Sequence, residues 1–477
     1  MLTNLLILLP LIGALVIWMA PLPREATAAL AVLIALAEVA VWIAMVTGFD
    51  FASPVLQDAA QYEWFGDLGV TYHVGFYGFS LWLAGLTVVV GAAAIGFGAW
   101  VGRDRPRAYF GLVLFLIGAV VGVFSSQDLL LFYVFFEMML IPIYILIGVW
   151  GGPKRASATI TFVIYTMAGS LLMLASIVVF GLSQGTFSLI DSGISDNDWV
   201  FLGFLIAFAV KAPLLPFHGW LRTAYTEAPP EIAALLSGVV SKAAVYGLLW
   251  IVLRHFPGPV DDWKTVVLVL AAAGLVYGSL LAFRQPDVRG VIAYSSMAQM
   301  SLIVLGIFAA NDLGVSGAIL HSVSHGLVSA AMFLLAAMLI ERTGTDRFAD
   351  LGGMAKGRPA LATIVMVVGM LTLAVPGSAN FSGEFAILAG VFYRGWGYAA
   401  IGAAAIVLAA MYTLRLISGI LHRAKGDAIR EESLDLRFGE LALLVPLVAI
   451  LLALSVWPSA ITEHSFPSAP PVEEASE

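Results

Sequence analysis

Apolar runs of about 20 residues follow one another along the chain almost from end to end, separated by short polar breaks. An α-helix crosses the roughly 30 Å hydrocarbon core of a bilayer in about 20 residues, so each run predicts a membrane-spanning helix. The runs fall near residues 2–20, 26–47, 77–100, 108–125, 127–149, 156–182, 199–221, 230–253, 265–283, 289–309, 314–341, 360–390, 396–421 and 438–457. The expectation is an all-α integral membrane fold of about 14 transmembrane helices, in a single polytopic membrane domain over residues 1–477. The first run lacks a basic leader and a small-residue cleavage site, and is read as a retained helix.

Two of the runs are interrupted. In "FAVKAPLLPFHGWL", Pro213 and Pro216 remove backbone donors and free the carbonyls of Ala209 and Ala212, which predicts a broken seventh helix. In "LTLAVPGSANFSGEF", Pro376, Gly377, Asn380 and Gly383 interrupt the twelfth. With helices 4–8 and 9–13 taken as two five-helix sets, each break falls in the fourth member, beside an ionisable residue. That correspondence points to a transporter fold of two inverted repeats, with half-channels over residues 108–253 and 265–421. The competing reading is that these prolines only kink helices for packing.

Charge adds orientation. Of the 23 lysines and arginines, 17 fall in alternate loops, whereas the opposite loops hold only Arg254, Lys264 and Arg394. Basic loops stay cytoplasmic, so both termini are expected on the outer side. "DAIREESLDLR" and the terminal "EEASE" read as solvated surface.

Composition then removes whole classes of chemistry. The chain has no cysteine, which excludes protein-ligated iron-sulfur clusters, thiolate zinc sites, disulfides and covalent c-type haem. His321 and His325 lie four residues apart on one helix face, so they cannot clamp a haem, and no further cluster suggests a metal. Phosphate-binding loop motifs are absent, leaving nucleotide binding unsupported. Nothing points to nucleic acid.

What remains is a set of ionisable residues inside spans: Lys211, Lys242, Arg415, Glu38, Glu137 and Glu384. Each costs on the order of 2.5 to 3.5 kcal/mol at mid-membrane. Burial disfavours the charged form of an unpaired group and a nearby opposite charge restores it, so Glu137 facing Lys211 would be a switchable pair or a static buried salt bridge. Lys242 sits too deep to snorkel and suits a relay. His325 is suited to proton shuttling, with Ser322, Ser324 and Ser329 able to order water near it. Glu384, after the second break, is the matching acid or a cap of the half-helix beginning near Asn380. Glu38 and Arg415 are read as structural.

The segments "FFEMMLIPIYILIGVWGG", "FAVKAPLLPFHGWL", "TEAP", "LLSGVVSKAAVYGLL", "VIAYSS", "SHGLVSAAMFLLAAMLIERTGT" and "VPGSANFSGEF" resemble, in order and spacing over about residues 100–425, the subunit M family of bacterial respiratory complex I. The resemblance implies an antiporter-like, proton-translocating membrane subunit of an NADH:quinone oxidoreductase in a bacterial inner membrane, among other membrane-arm subunits. It implies that Glu137, paired with Lys211, forms a central proton path with Lys242, His325 and Glu384; His218, His321 and Gln299 are candidate auxiliaries. It also implies that NADH, FMN, iron-sulfur clusters and quinone belong to partner subunits. Glu384, where related subunits carry lysine, favours subunit M over subunits L and N and the Mrp-type cation/proton antiporters. Such an antiporter, a membrane-bound hydrogenase or another donor:quinone dehydrogenase is the alternative setting. Two departures stand out: "GWLRTAY" replaces the usual "GWLPDAH", placing Arg222, Thr223 and Tyr225 beside the broken helix, and Gln299 replaces a histidine. An amide cannot titrate, so a proton passing Gln299 has to use water.

Overall fold

In the computed structural model, described for residues 1–66, 69–429 and 434–463, nearly every apolar run is helical. The helices are α1 (Leu2–Met19), α2 (Arg24–Gly48), α3 (Gly78–Val101), α4 (Pro106–Ser125), α5 (Leu129–Trp150), α6 (Arg155–Gln184), α7 (Asp198–Lys211) and α8 (Leu221–Glu227). They continue with α9 (Pro230–His255), α10 (Pro257–Arg284), α11 (Val288–Phe308), α12 (Asp312–Thr343), α13 (Pro359–Thr372), α14 (Ala379–Phe392), α15 (Trp396–Leu421), α16 (Phe438–Val456) and the short α17 (Ser459–Thr462). Twelve are long and apolar enough to cross a membrane, and the expected seventh and twelfth runs are instead divided between shorter helices, α7 with α8 and α13 with α14. His464, the terminal "EEASE" and Arg430 to Ser433 of the acidic loop lie outside the described residues.

The core is set by which helices bury all their faces. The hydrophobic stretch of α9 is wholly buried, and those of α11, α12 and α4 nearly so, whereas only 22% of that of α2 is covered. A helix apolar all round belongs inside a bundle or against lipid; tertiary packing decides which. α12 packs along α14 and α11, and the first turns of α9 lie against α12. The arginine-rich loops gather at one end of the bundle, which α8 also occupies. The opposite end carries an element the hydrophobic pattern did not predict, an antiparallel hairpin of β1 (Gln57–Phe65) and β2 (Val70–Phe76). It docks on the loop before α5, where the Gln127 N–H donates to the His73 carbonyl and the Asp128 carboxylate accepts from Thr71 N. Period-2 alternation is weak here because β1 is exposed on both faces.

The broken seventh span follows from its prolines. α7 ends at Lys211, and the carbonyl that Pro213 would have left without a donor, that of Ala209, instead accepts from Leu214 N at 2.9 Å. The Trp220 indole donates to the Val210 carbonyl at 3.0 Å, closing the next open position. The twelfth span is repaired by different groups. The Asn380 amide donates to the Leu371 carbonyl at 2.9 Å, while Ser378 caps α14 by accepting from Phe381 N. Ala374 and Gly377 take positive φ at the turn between the halves. A third irregularity lies inside α9. Leu236–Val240 and Leu248–Val252 wind as π-turns on either side of Lys242, wide turns that often mark functional positions because they free carbonyls from the regular ladder.

Candidate functional site

The first of these π-turns shapes the surroundings of Lys242. Its Nζ, fully buried, donates to the Ser237 carbonyl at 2.9 Å and approaches Ser241 Oγ at 3.3 Å. It also lies 2.9 Å from His325 Nδ1, presented by α12. An ammonium has only donors and an imidazolium nitrogen has only a donor, so this bond requires one partner to be neutral. At most one of Lys242 and His325 is therefore charged while this bond is made.

The line continues along α12. The rings of His325 and His321 are 6.0 Å apart, and His321 Nε2 lies 2.8 Å from Gln299 Oε1 on α11. The Gln299 amide then donates to Glu384 Oε1 at 3.2 Å. All five residues are less than 9% exposed. Lys242, His325, His321, Gln299 and Glu384 thus form one buried polar line joining α9, through α12 and α11, to the half-helix α14. Because Ser378 already caps α14, Glu384 is not spent on capping and lies free to accept Gln299.

The expected pair of Glu137 and Lys211 is built differently. Lys211, 3% exposed at the end of α7, holds its Nζ 4.7 Å from the centre of the Phe136 ring. Glu137 is half-buried and within electrostatic reach, but no ion pair joins it to Lys211 among the described residues. Neighbouring positions on a helix point about 100° apart, so the face of α5 that meets Lys211 is that of Phe136. A cation over an aromatic face is itself favourable. The expected direct pair is corrected to a cation held by a ring, with the carboxylate nearby.

Other expectations are also adjusted. Ser322 and Ser324 hydrogen-bond back to carbonyls of their own helix, and only Ser329 faces the site. Ser329 Oγ lies 2.6 Å from Ser237 Oγ, which in turn donates to Ser296 Oγ at 2.8 Å. This serine triad carried no periodic or charge signal in the sequence. His218 stands apart from the line, half-buried between α7 and α8 with its ring edge-on to Tyr277. Arg415 lies in the last turns of α15 and donates to the Phe283 carbonyl at 2.6 Å, a helix-end role in keeping with a structural residue. Glu38 is fully buried in α2, its carboxyl oxygens without a hydrogen-bond partner.

Sequence reasoning missed two buried acids that form ion pairs. Glu231, at the start of α9, accepts a bidentate Arg103 at 2.7 and 2.8 Å and the Tyr109 hydroxyl at 2.5 Å. Glu440, opening α16, accepts Arg342 at 2.6 Å on both oxygens. Both sit at span edges, where a charge is unremarkable in sequence.

The family described as "NADH:quinone oxidoreductase/Mrp antiporter, TM" matches residues 126–411, the stretch that carries the whole line. NADH-quinone oxidoreductase subunit M of Rhodobacter capsulatus is 35% identical over 445 residues, covering 89% of this chain and 86% of its own length. Its counterpart from Mycobacterium tuberculosis is 34% identical over 504 residues, covering 96% and 91%. A chain of respiratory complex I from Thermus thermophilus superposes with a TM-score of 0.90 at 29% identity, over 98% of each chain. With that match spanning more than half of its length, the chain belongs to the NADH:quinone oxidoreductase/Mrp antiporter transmembrane family.

Proposed function

We propose that the chain is an antiporter-like, proton-translocating membrane subunit of an NADH:quinone oxidoreductase, the counterpart of subunit M in the relatives above. One observation carries this reading: a buried line of titratable and hydrogen-bonding groups from Lys242 to Glu384 that costs stability and has no packing use. In this reading Lys242, His325 and Glu384 hold and pass protons, and Lys211 with Glu137 controls loading beside the first break. His321 and Gln299 order the line, and His218 is an auxiliary at the break. Residues 108–253 and 265–421 form two half-channels related as inverted repeats. The chain itself holds no redox cofactor: NADH, FMN, iron-sulfur and quinone chemistry belongs to partner subunits of the membrane and peripheral arms. Moving one charge against 100 mV requires about 2.3 kcal/mol, so proton affinity along the line changes as the complex turns over. The protein sits in a bacterial inner membrane with the arginine-rich loops in the cytoplasm and the hairpin and both termini outside.

The alternative is a subunit of an Mrp-type cation/proton antiporter, which the shared family description accommodates. Mass spectrometry of the intact complex purified through this chain separates the two. Flavin-bearing, NADH-oxidising partners support the oxidoreductase, and a complex made only of antiporter homologues sinks it.

A further inference from the structure

The direct line has a gap between His325 and His321, whose rings stand 6.0 Å apart with His321 Nδ1 unbonded, and a link at Gln299 that passes hydrogen bonds but no proton. Gln299 accepts from His321 and donates to Glu384, and an amide relaying a proton would be left as the imidic acid. Beside this link lies a cavity of ≈ 20 Å³, and about 10–15 Å³ holds one water. His325, Gln299 and Ser329 line one side of it, and Asn380, Tyr412 and Thr413 the other. Asn380 Oδ1, the Tyr412 hydroxyl and Thr413 Oγ1 all lack a hydrogen-bond partner, although each residue is at most 5% exposed. Three orphaned polar atoms converging on a space of this size are the signature of a buried water site, since such a water makes two to four bonds to groups otherwise unsatisfied. The Tyr412 side chain lines this cavity together with Gln299, whose amide holds Glu384. His325 commits Nδ1 to Lys242, which leaves Nε2 to face elsewhere.

Building on the proton-translocating reading, we propose that this cavity is a water site that carries the proton around Gln299, from His325 through one water and the Tyr412 hydroxyl to Glu384. The proton leaves His325 Nε2 for the water, and the water gives a proton to the Tyr412 oxygen as that hydroxyl's own hydrogen passes to the Glu384 carboxylate. Water and phenol end as they began, and one positive charge has moved from imidazolium to carboxylate. Tyr412 is a relay residue; Asn380 and Thr413 position the water.

The test uses the intact complex reconstituted in liposomes, comparing protons pumped with quinone reduced. Tyr412→Phe keeps the ring and removes the hydroxyl, and pumping should slow about tenfold or more, the scale of losing one proton-transfer group. Thr413→Val should slow it less. Adding Gln299→His to Tyr412→Phe should restore pumping, because a titratable ring on the wall of the same cavity then takes the hydroxyl's place between the water and Glu384; a merely structural role for Tyr412 gives no such rescue. Tyr412→Phe pumping like the wild type, or a double variant as impaired as the single one, overturns the route. Should Tyr412→Phe fail to assemble, a water-resolving cryo-EM map of the wild type decides: density touching Asn380, Tyr412 and Thr413 supports the site, and an empty cavity overturns it. A wild-type complex that reduces quinone without pumping overturns the proton-translocating reading instead.

Discussion

The bond between Lys242 and His325 gives the residue scale its sharpest test. Lys242→Met keeps the apolar stem and deletes the charge, leaving His325 Nδ1 and the Ser237 carbonyl without their partner. We expect an assembled complex whose proton pumping falls about tenfold or more, read in proteoliposomes against the quinone reductase rate; normal pumping would remove Lys242 from the path. At the first break, Lys211 is held by Phe136 rather than by Glu137. Glu137→Gln is therefore expected to impair pumping less than Lys211→Met in the same assay. Equal losses would mean that the two close into contact during turnover. Charges inside apolar runs were legible in the sequence because each is costly there. Ser237, Ser296, Tyr412 and Thr413 were not, since hydroxyls are common in membrane helices and only their convergence distinguishes them.

At the scale of elements, breaking a helix obliges the protein to find new partners for backbone groups, and the two breaks use different ones. The first is repaired by backbone and an indole, the second by Asn380. The half-helix α13 is capped at its start from a distant loop: the Asp435 carboxylate accepts from Ala360 N, Leu361 N and Leu436 N, each at 2.8 Å. Partial burial pushes this carboxyl up, but the three N–H donors and Arg342 outweigh it and hold it below the ordinary aspartate range. A depressed carboxyl stabilises the fold above its unfolded value, about 3.9, and that contribution is lost as pH falls through the lower folded value. Asp435→Asn should then cost about 1 kcal/mol at neutral pH, with the gap in thermal midpoint to the wild type closing in acid. A gap constant down to acid pH would show that the charge is irrelevant to the cap. The prolines announced both breaks, whereas Asp435 lies far along the chain from the helix it caps.

Across the whole molecule, the arginine bias that suggested orientation also has a structural use. Arg103 with Glu231, Arg222 with Asp287, Arg289 with Asp346 and Arg342 with Glu440 all tie loops and helix ends together at one end of the bundle. Arg222, one of the departures from the family's pattern, thereby fastens α8 to the start of α11 and also donates to Gln285. Removing one member of a buried pair leaves an uncompensated charge, which costs about 3–5 kcal/mol. Arg103→Ala is accordingly expected to lower the thermal midpoint of the purified complex steeply, and Arg103→Ala with Glu231→Gln to recover most of the loss. If the double variant is no more stable than the single one, Arg103 contributes chiefly by packing.

Apolar runs, prolines and out-of-place charges are local properties, and they sufficed to determine a polytopic helical membrane protein, the position of both helix breaks and five of the residues in or beside the polar line. Hydrophobicity by itself cannot distinguish a helix facing lipid from one at the centre of the bundle, because both are apolar all round; only packing placed α9, α11 and α12 inside and α2 at the rim. Only packing, too, turned Phe136 rather than Glu137 toward Lys211 and drew His325, Gln299, Asn380 and Tyr412 around one small cavity. Those residues come from four helices distant in sequence, and a side chain's direction depends on the helix it meets.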